Sequence, residues 1–136
     1  MVIRLLADVN IQGQIEILVA RMQIGHWRDF WDHLQLRHVT FTDVGLQLSD
    51  SDAIVWQRCQ QQELLLLTDN RNDDGPESLE STIRTNTRPT SLPVFTISNA
   101  RHLSVSPSYA ERVIDRLYIY LLEFENLRGT GRLYLP

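Results

Sequence analysis

The chain has 136 residues, enough for one domain with a sizeable core, and neither a signal segment nor an apolar run that would span a bilayer, so we expect a cytoplasmic protein without membrane contacts. The net charge of -4 argues against coating nucleic acid by bulk electrostatics, and the single cysteine, Cys59, excludes an intramolecular disulfide. All 13 basic residues are arginine, which excludes chemistry that needs a lysine amine.

The first predicted strand, Val2 to Ala7, ends in polar side chains. Its apolar run is followed directly by Asp8-Val9-Asn10. Apolar residues at helical spacing then predict an amphipathic helix from about Gln12 to Met22. A shorter apolar stripe from Trp27 to Leu34 predicts a second helix, whose tryptophans are more often core residues than a surface for stacking bases.

Three more strands are predicted downstream, at Arg37 to Phe41, Leu64 to Leu67 and Val94 to Ile97. The four leucines in succession are typical of a strand buried on both faces. Residues 49–52 are rich in helix N-cap types and open a helix that runs back to the leucine strand.

Two more helices complete the pattern. A short helix begins near Pro76, a residue type suited to the first helical position, and runs to about Ile83. The Ser106-Pro107 pair opens a last helix that ends near Asn126. Strands that alternate with helices predict one α/β domain over residues 1–136, with three layers and a mostly parallel sheet of four or five strands.

The last helix is apolar over more of its circumference than one contact face requires. Tyr118, Ile119 and Leu122 lie outside its main stripe, and a monomer would leave either them or that stripe in water. Surplus apolar surface usually marks an interface, so we expect a homodimer. Residues 127–136, a Gly-hinged basic turn with an apolar tail, either exchange between copies as an arm or fold back as an edge strand.

Polar side chains follow two of the predicted strands. Asp8-Val9-Asn10 follows the first, and residues 68–74 follow the leucine strand. Carboxyl ends of parallel strands meet at one edge of a sheet, where ligands bind. Carboxylate and carboxamide oxygens suit Mg²⁺, although the same residue types also make ordinary solvated turns.

Three motifs occur in an order and spacing that resemble the PIN-like superfamily. Ala7-Asp8-Val9-Asn10 matches a strand ending in Ala-Asp-x-Asn, residues 52–59 are similar to a helix of the form Asp-x-x-Ile-Trp-x-x-Ala, and residues 68–72 align with a strand closing on Thr-x-Asp-x-Asp. The resemblance covers about residues 2 to 100. It is to the small bacterial PIN-like proteins often found in toxin–antitoxin-type gene pairs, and it implies a PIN-like domain with an antitoxin-type protein partner.

The resemblance also implies a site. Its catalytic and metal-binding positions, which would hold Mg²⁺ or Mn²⁺ for the hydrolysis of RNA phosphodiesters, fall on Asp8, Asp52, Asn70 and Asn72. Its substrate-positioning residues fall on Asn10, Thr68 and Arg71. Both acids of the third motif are asparagine in this chain, which keeps oxygen donors but removes two negative charges.

Five nearby acids are candidates to replace the missing carboxylates: Asp69, Asp73, Asp74, Glu77 and Glu80. Because side chains alternate along a strand end, Asp69 points away if Asn70 points in. The sequence therefore leaves two functions open. One is a Mg²⁺- or Mn²⁺-dependent ribonuclease, and the other is a catalytically degenerate PIN-like module that binds a protein or RNA partner without cleavage.

Other classes with acids at strand ends are disfavoured. Receiver domains and haloacid dehalogenase-type phosphatases resemble this pattern, but both depend on a lysine that the chain lacks. No Gly-rich phosphate turn follows Asp8, so a Rossmann or P-loop site is unsupported. The four histidines show no metal-ligand spacing, and Cys59 falls on the buried face of a predicted helix, where a nucleophile is not expected.

Overall fold

Residues 2–136 of the computed structural model are described here, and they form a parallel sheet between two layers of helices. The strands are β1 Ile3–Ala7, β2 Leu36–Val39, β3 Leu64–Thr68, β4 Val94–Ile97 and β5 Arg132–Leu135. The α-helices are α1 Gln12–Met22, α2 Arg28–Leu34, α3 Asp52–Gln62, α4 Leu79–Asn86 and α5 Pro107–Leu122. The predicted three-layer α/β architecture is confirmed.

The five strands lie in the order β2-β1-β3-β4-β5, and every neighbouring pair is parallel. From β1 the chain crosses to β2 on one side, and it then returns to β3 on the other side. The connection from β1 leads toward β2 and the connection from β3 leads toward β4 on the opposite side, so a crevice opens between the carboxyl ends of β1 and β3.

The two faces of the sheet carry different helices. Side chains such as Leu5, Leu67 and Phe95 pack against α1, α2 and α5 in the larger cluster of buried apolar residues. Leu6 and Leu66 point to the other face, where α3 and α4 cover a smaller cluster. The leucine strand is buried on both faces, as its sequence predicts.

The bounds predicted from the sequence are confirmed for α1, whereas those of α4 differ from the prediction. Pro76 is not the first residue of α4, because Ser78 is the N-cap and its hydroxyl accepts a hydrogen bond from the Ser81 N–H at 3.2 Å. A hydroxyl that binds a free helix N–H fixes the start better than the backbone angle of a proline two residues earlier. Helix α5 ends at Leu122, short of the predicted Asn126, and a 3-10 helix, Phe124–Leu127, follows it.

The C-terminal segment is an edge strand of its own sheet. Strand β5 pairs with β4 from Val94 beside Arg132 to Ile97 beside Leu135, so of the two arrangements that the sequence leaves open for residues 127–136, the structure has the edge strand. Gly131 has a φ of +83° and is required here, because a Cβ would lie 3.1 Å from Cγ2 of Ile83.

Tyr118 belongs to the core of its own chain. It is 2% exposed, it stacks on Trp27, and its hydroxyl donates to the Met22 carbonyl at 2.8 Å, so the expectation that a monomer leaves Tyr118 in water is wrong. Ile119 and Leu122 remain exposed, and the homodimer stays a prediction that rests on them. Within residues 2–136, no helix has the length and apolar composition to cross a membrane.

Candidate functional site at the carboxyl edge

Asp8 and Thr68 lie side by side at the crevice between β1 and β3. The Asp8 N–H donates to the Leu67 carbonyl at 2.9 Å, which extends the pairing of the two strands by one residue. Side chains alternate along a strand, so both residues share the sheet face of Leu6 and Leu66, beneath α3 and α4. The fold therefore brings two separate sequence motifs to one point.

Asp8 is held by two hydrogen bonds. One carboxylate oxygen accepts from the Thr68 hydroxyl at 2.7 Å, and the other accepts from the backbone N–H of Asn10 at 3.2 Å. Burial raises the pKa of Asp8 above its ordinary value, with smaller contributions from the charges of Asp52 and Asp69, while the two hydrogen bonds oppose the rise. The site thus disfavours a negative charge on Asp8.

Asn70 links Asp8 to Asp52. Its backbone N–H donates to Oγ1 of Thr68 at 3.0 Å, and its side-chain Nδ2 donates to Oδ2 of Asp52 at 3.0 Å. The same Asp52 oxygen accepts from the Leu79 N–H at 3.2 Å, at the start of α4. Asp8, Thr68, Asn70 and Asp52 consequently form one chain of hydrogen bonds between three strand and helix ends.

The side chains of Asn72, Arg71 and Asn10 lie outside that chain. Oδ1 of Asn70 accepts from the Asn72 N–H at 2.9 Å, and Oδ1 of Asn72 accepts in turn from the Asp74 N–H at 3.0 Å, so Asn72 shapes its own loop. The exposed Arg71 has its guanidinium carbon 5.9 Å from the ring centre of Tyr134, and Asn10 contributes its backbone. Thr68 is fully buried and positions Asp8 and Asn70 through its hydroxyl, and its role toward a substrate stays a prediction.

The five candidate acids divide into two groups. Asp69, Asp73, Asp74 and Glu77 are exposed, whereas Glu80 turns toward the C-terminal strand. Asp74 and Glu77 line an open cleft of about 690 Å³ together with Asp50 and Asp52. We call this space the acidic cleft, and it lies between the start of α3 and the residues that lead into α4.

The described side chains show no preformed site for a divalent cation. Among residues 2–136, no group of three or more histidine, cysteine, aspartate or glutamate side chains is arranged to hold a metal. Asn70 presents its amide nitrogen to Asp52, and its oxygen already accepts from Asn72, so turning the carboxamide over would break both bonds. The Mg²⁺ or Mn²⁺ site therefore stays a prediction that requires titration.

Arg132, at the start of β5, adds a positive charge that the sequence motifs do not include. Its Nη1 donates to the Asn70 carbonyl at 2.9 Å and to the Thr96 hydroxyl at 2.6 Å, and its Nε donates to Glu80 at 3.0 Å. The side chain is only 5% exposed. The available signal was the alternation of polar and apolar residues in Arg-Leu-Tyr-Leu, which places Arg132 and Tyr134 on one face of a strand.

Cys59 is excluded as a nucleophile at neutral pH. It is 1% exposed, on the covered side of α3, which confirms its predicted burial. Burial raises the pKa of its thiol to about 12, so the thiol stays protonated.

Comparison with known proteins identifies no related family, so the PIN-like resemblance depends on the motif residues alone. No protein-family model matches the chain, and neither the curated proteins nor the solved structures compared with it give a significant match. The chain is thus an α/β domain with a polar site at the carboxyl edge of an all-parallel sheet.

Proposed function

We propose that the chain is a PIN-like domain that binds RNA at its carboxyl edge without metal-dependent cleavage. The observation that carries the proposal is that the loop after β3 is neutralised by the protein's own donors: the amide nitrogen of Asn70 meets Asp52, and the guanidinium of Arg132 meets the Asn70 carbonyl. A metal-dependent nuclease needs clustered carboxylates, and at the two positions of the third motif this chain has neutral carboxamides, with the guanidinium of Arg132 against the Asn70 carbonyl.

The charge of Arg132 favours a phosphate over a cation. Arg132 repels a divalent cation near Asn70, whereas a guanidinium is a strong partner for phosphate oxygens. Arg71 and Arg84 are exposed, and both lie near the exposed Tyr134: the guanidinium carbon of Arg71 is 5.9 Å from the centre of its ring, and Arg84 lines one cleft with it. A local basic surface of this kind is compatible with the net charge of -4.

Binding and cleavage of a fluorescein-labelled single-stranded RNA test the proposal. Fluorescence anisotropy of the wild type at low salt should show binding that persists in EDTA, and gels should show intact RNA after incubation with Mn²⁺. Added Mn²⁺ should leave the melting temperature unchanged, because only a ligand that binds the folded state stabilises it. Absence of RNA binding at low salt would overturn the proposal.

A Mg²⁺- or Mn²⁺-dependent ribonuclease is the second candidate. It is favoured by the hydrogen-bonded connection of Asp8 to Asp52 and by the carboxylates that line the acidic cleft. It requires the Asn70 carboxamide to release Asp52. Cleavage of RNA with Mn²⁺, together with a Mn²⁺-dependent rise in melting temperature that is lost in Asp8→Asn, would establish this candidate in place of the first.

A further inference from the structure

A second cleft, of about 300 Å³, lies between α4 and the start of β5. Helix α4 contributes Arg84 and Thr87 to its walls, and the C-terminal segment contributes Thr130, Arg132 and Tyr134. We call this space the basic cleft. None of the three sequence motifs points to it.

Two buried polar atoms on the walls of the basic cleft lack hydrogen-bond partners within residues 2–136. They are Nη2 of Arg132 and Oγ1 of Thr87. The other donors of Arg132 are engaged with Glu80, Asn70 and Thr96, so Nη2 alone is left over. A buried donor without a partner destabilises a protein unless a water or a ligand supplies an acceptor.

The charges that line the basic cleft favour a negatively charged acceptor. Oε1 of Glu80 lies 3.0 Å from Nε of Arg132, and Oε2 of Glu80 lies 3.2 Å from Nε of Arg84. Two arginines therefore share one carboxylate, which leaves one positive charge uncompensated. The Arg84 side chain is 70% exposed at the mouth of the cleft, where it can meet an incoming anion.

An aromatic ring stands beside the cleft. Tyr134 is 55% exposed, and the guanidinium carbon of Arg71 lies 5.9 Å from the centre of its ring. Exposed aromatic rings next to arginines serve as stacking surfaces for unpaired bases. Donors for a phosphate and an aromatic ring for stacking on a base therefore lie together, which matches the two parts of a nucleotide.

We propose that the basic cleft binds one phosphodiester group of single-stranded RNA. A phosphate oxygen accepts hydrogen bonds from Nη2 of Arg132 and Oγ1 of Thr87, Arg84 adds its charge, and the neighbouring base stacks on Tyr134. A free base face is needed for the stacking, so single strands bind better than duplexes. This inference rests on the proposed RNA binding and assigns it to a subsite.

Point variants around the cleft test the assignment by anisotropy with a labelled oligouridylate. Thr87→Val should raise the Kd about fivefold by removing one hydrogen bond, and Tyr134→Leu should raise it about tenfold by removing one stacked base. Arg84→Gln should raise the Kd and lower the slope of log K against log salt by about one. The matched control is Arg116→Gln, which removes an exposed arginine on α5 and should leave the Kd unchanged.

Stability measurements separate a lost contact from a damaged fold. Oγ1 of Thr87 has no partner in the described chain, so Thr87→Val should bind RNA less tightly while melting no lower than the wild type. Arg132 is left unchanged in these variants because its other bonds support the fold.

Two results would overturn the subsite and are distinguishable from each other. If the wild type binds RNA and Thr87→Val and Tyr134→Leu bind it equally well, the basic cleft is not the subsite, although the proposed function stands. If inorganic phosphate shifts the NMR amide signals of Thr87 and Gly131 but RNA does not bind, the cleft is a small-anion site, and both the subsite and the proposed function fail.

Discussion

Helix α4 separates two clefts of opposite charge. The acidic cleft at its amino end is lined by carboxylates, of which Asp52 already accepts from both Asn70 and Leu79 and Asp50 accepts from the Gln47 N–H. The basic cleft along its flank keeps two buried polar atoms without partners in the described chain. Of the two clefts, the one with unpaired buried atoms is thus the basic cleft, which the motifs do not mark. The motif residues hydrogen-bond mainly to one another.

The loop after β3 connects the two clefts. The side chain of Asn70 contacts Asp52, while its carbonyl contacts Arg132. A change on either side of Asn70 is therefore expected to alter the other side. Three substitutions test this contrast between the two clefts.

Removal of the buried guanidinium should have the largest effect. Arg132→Met leaves Glu80 without its buried partner and takes a donor from Thr96 and Asn70. We expect the free energy of unfolding to fall by about 3 kcal/mol, the scale for breaking a buried ion pair. Urea denaturation measures the change. The matched control is Arg84→Met, which removes an exposed partner of the same carboxylate and should lower the free energy of unfolding by less than about 0.5 kcal/mol. Equal losses of stability in the two variants would contradict the prediction.

A second carboxylate directly against Asp52 should have an intermediate effect. Asn70→Asp replaces a hydrogen bond to Asp52 with like-charge repulsion, so without metal we expect about 2 kcal/mol of destabilisation. Added Mn²⁺ should recover stability, which thermal melting with and without the ion detects.

The control for that variant is Asn72→Asp in the same loop. A carboxylate there still accepts from the Asp74 N–H, so stability should change by less than about 0.5 kcal/mol. The placement of Asn70 against Asp52 would be wrong if the two variants behaved alike.

Neutralising Asp8 should have the smallest effect, and it should stabilise. Its pKa in the folded protein is raised above 3.8, so its contribution to stability is present below that pH and is lost as pH rises through the folded value. Asp8→Asn should therefore gain about 1 kcal/mol at neutral pH and match the wild type in acid.

Melting curves over a range of pH follow this difference. Asp69→Asn is the control, because Asp69 is exposed and raises the pKa of Asp8 only as a minor contribution. A wild type more stable than Asp8→Asn at neutral pH would show that the two hydrogen bonds to Asp8 outweigh its burial.

Much of the fold follows from patterns in the sequence. The spacing of apolar residues predicts α1 and β4 with their observed bounds, and the leucine run predicts β3. The motif order also brings Asp8, Asp52, Thr68 and Asn70 to one edge, because strand ends in a parallel sheet converge. Those features depend on short-range periodicity and on a general rule of topology.

The sequence does not predict side-chain orientations or contacts between residues that are far apart in the chain. The sequence of residues 68–72 does not show which side of the Asn70 carboxamide faces Asp52, because that depends on where the folded loop places the Asn72 N–H. Arg132 lies 62 positions from Asn70 and follows a Gly-rich turn, so its contact depends on the pairing of β5 with β4. Interactions that complete a site across a whole sheet have no local signature.

The distance along the chain between these partners has a consequence for folding kinetics. Thr68 and Asp8 are 60 positions apart, and Arg132 and Asn70 are 62 positions apart, so each bond closes a long loop at an entropic cost. Contacts of high sequence separation form slowly, after helices and short-range pairs. A partly folded chain with most of its helices but without β5 would lack the basic cleft, so we expect the RNA binding proposed for that cleft only after the sheet is complete.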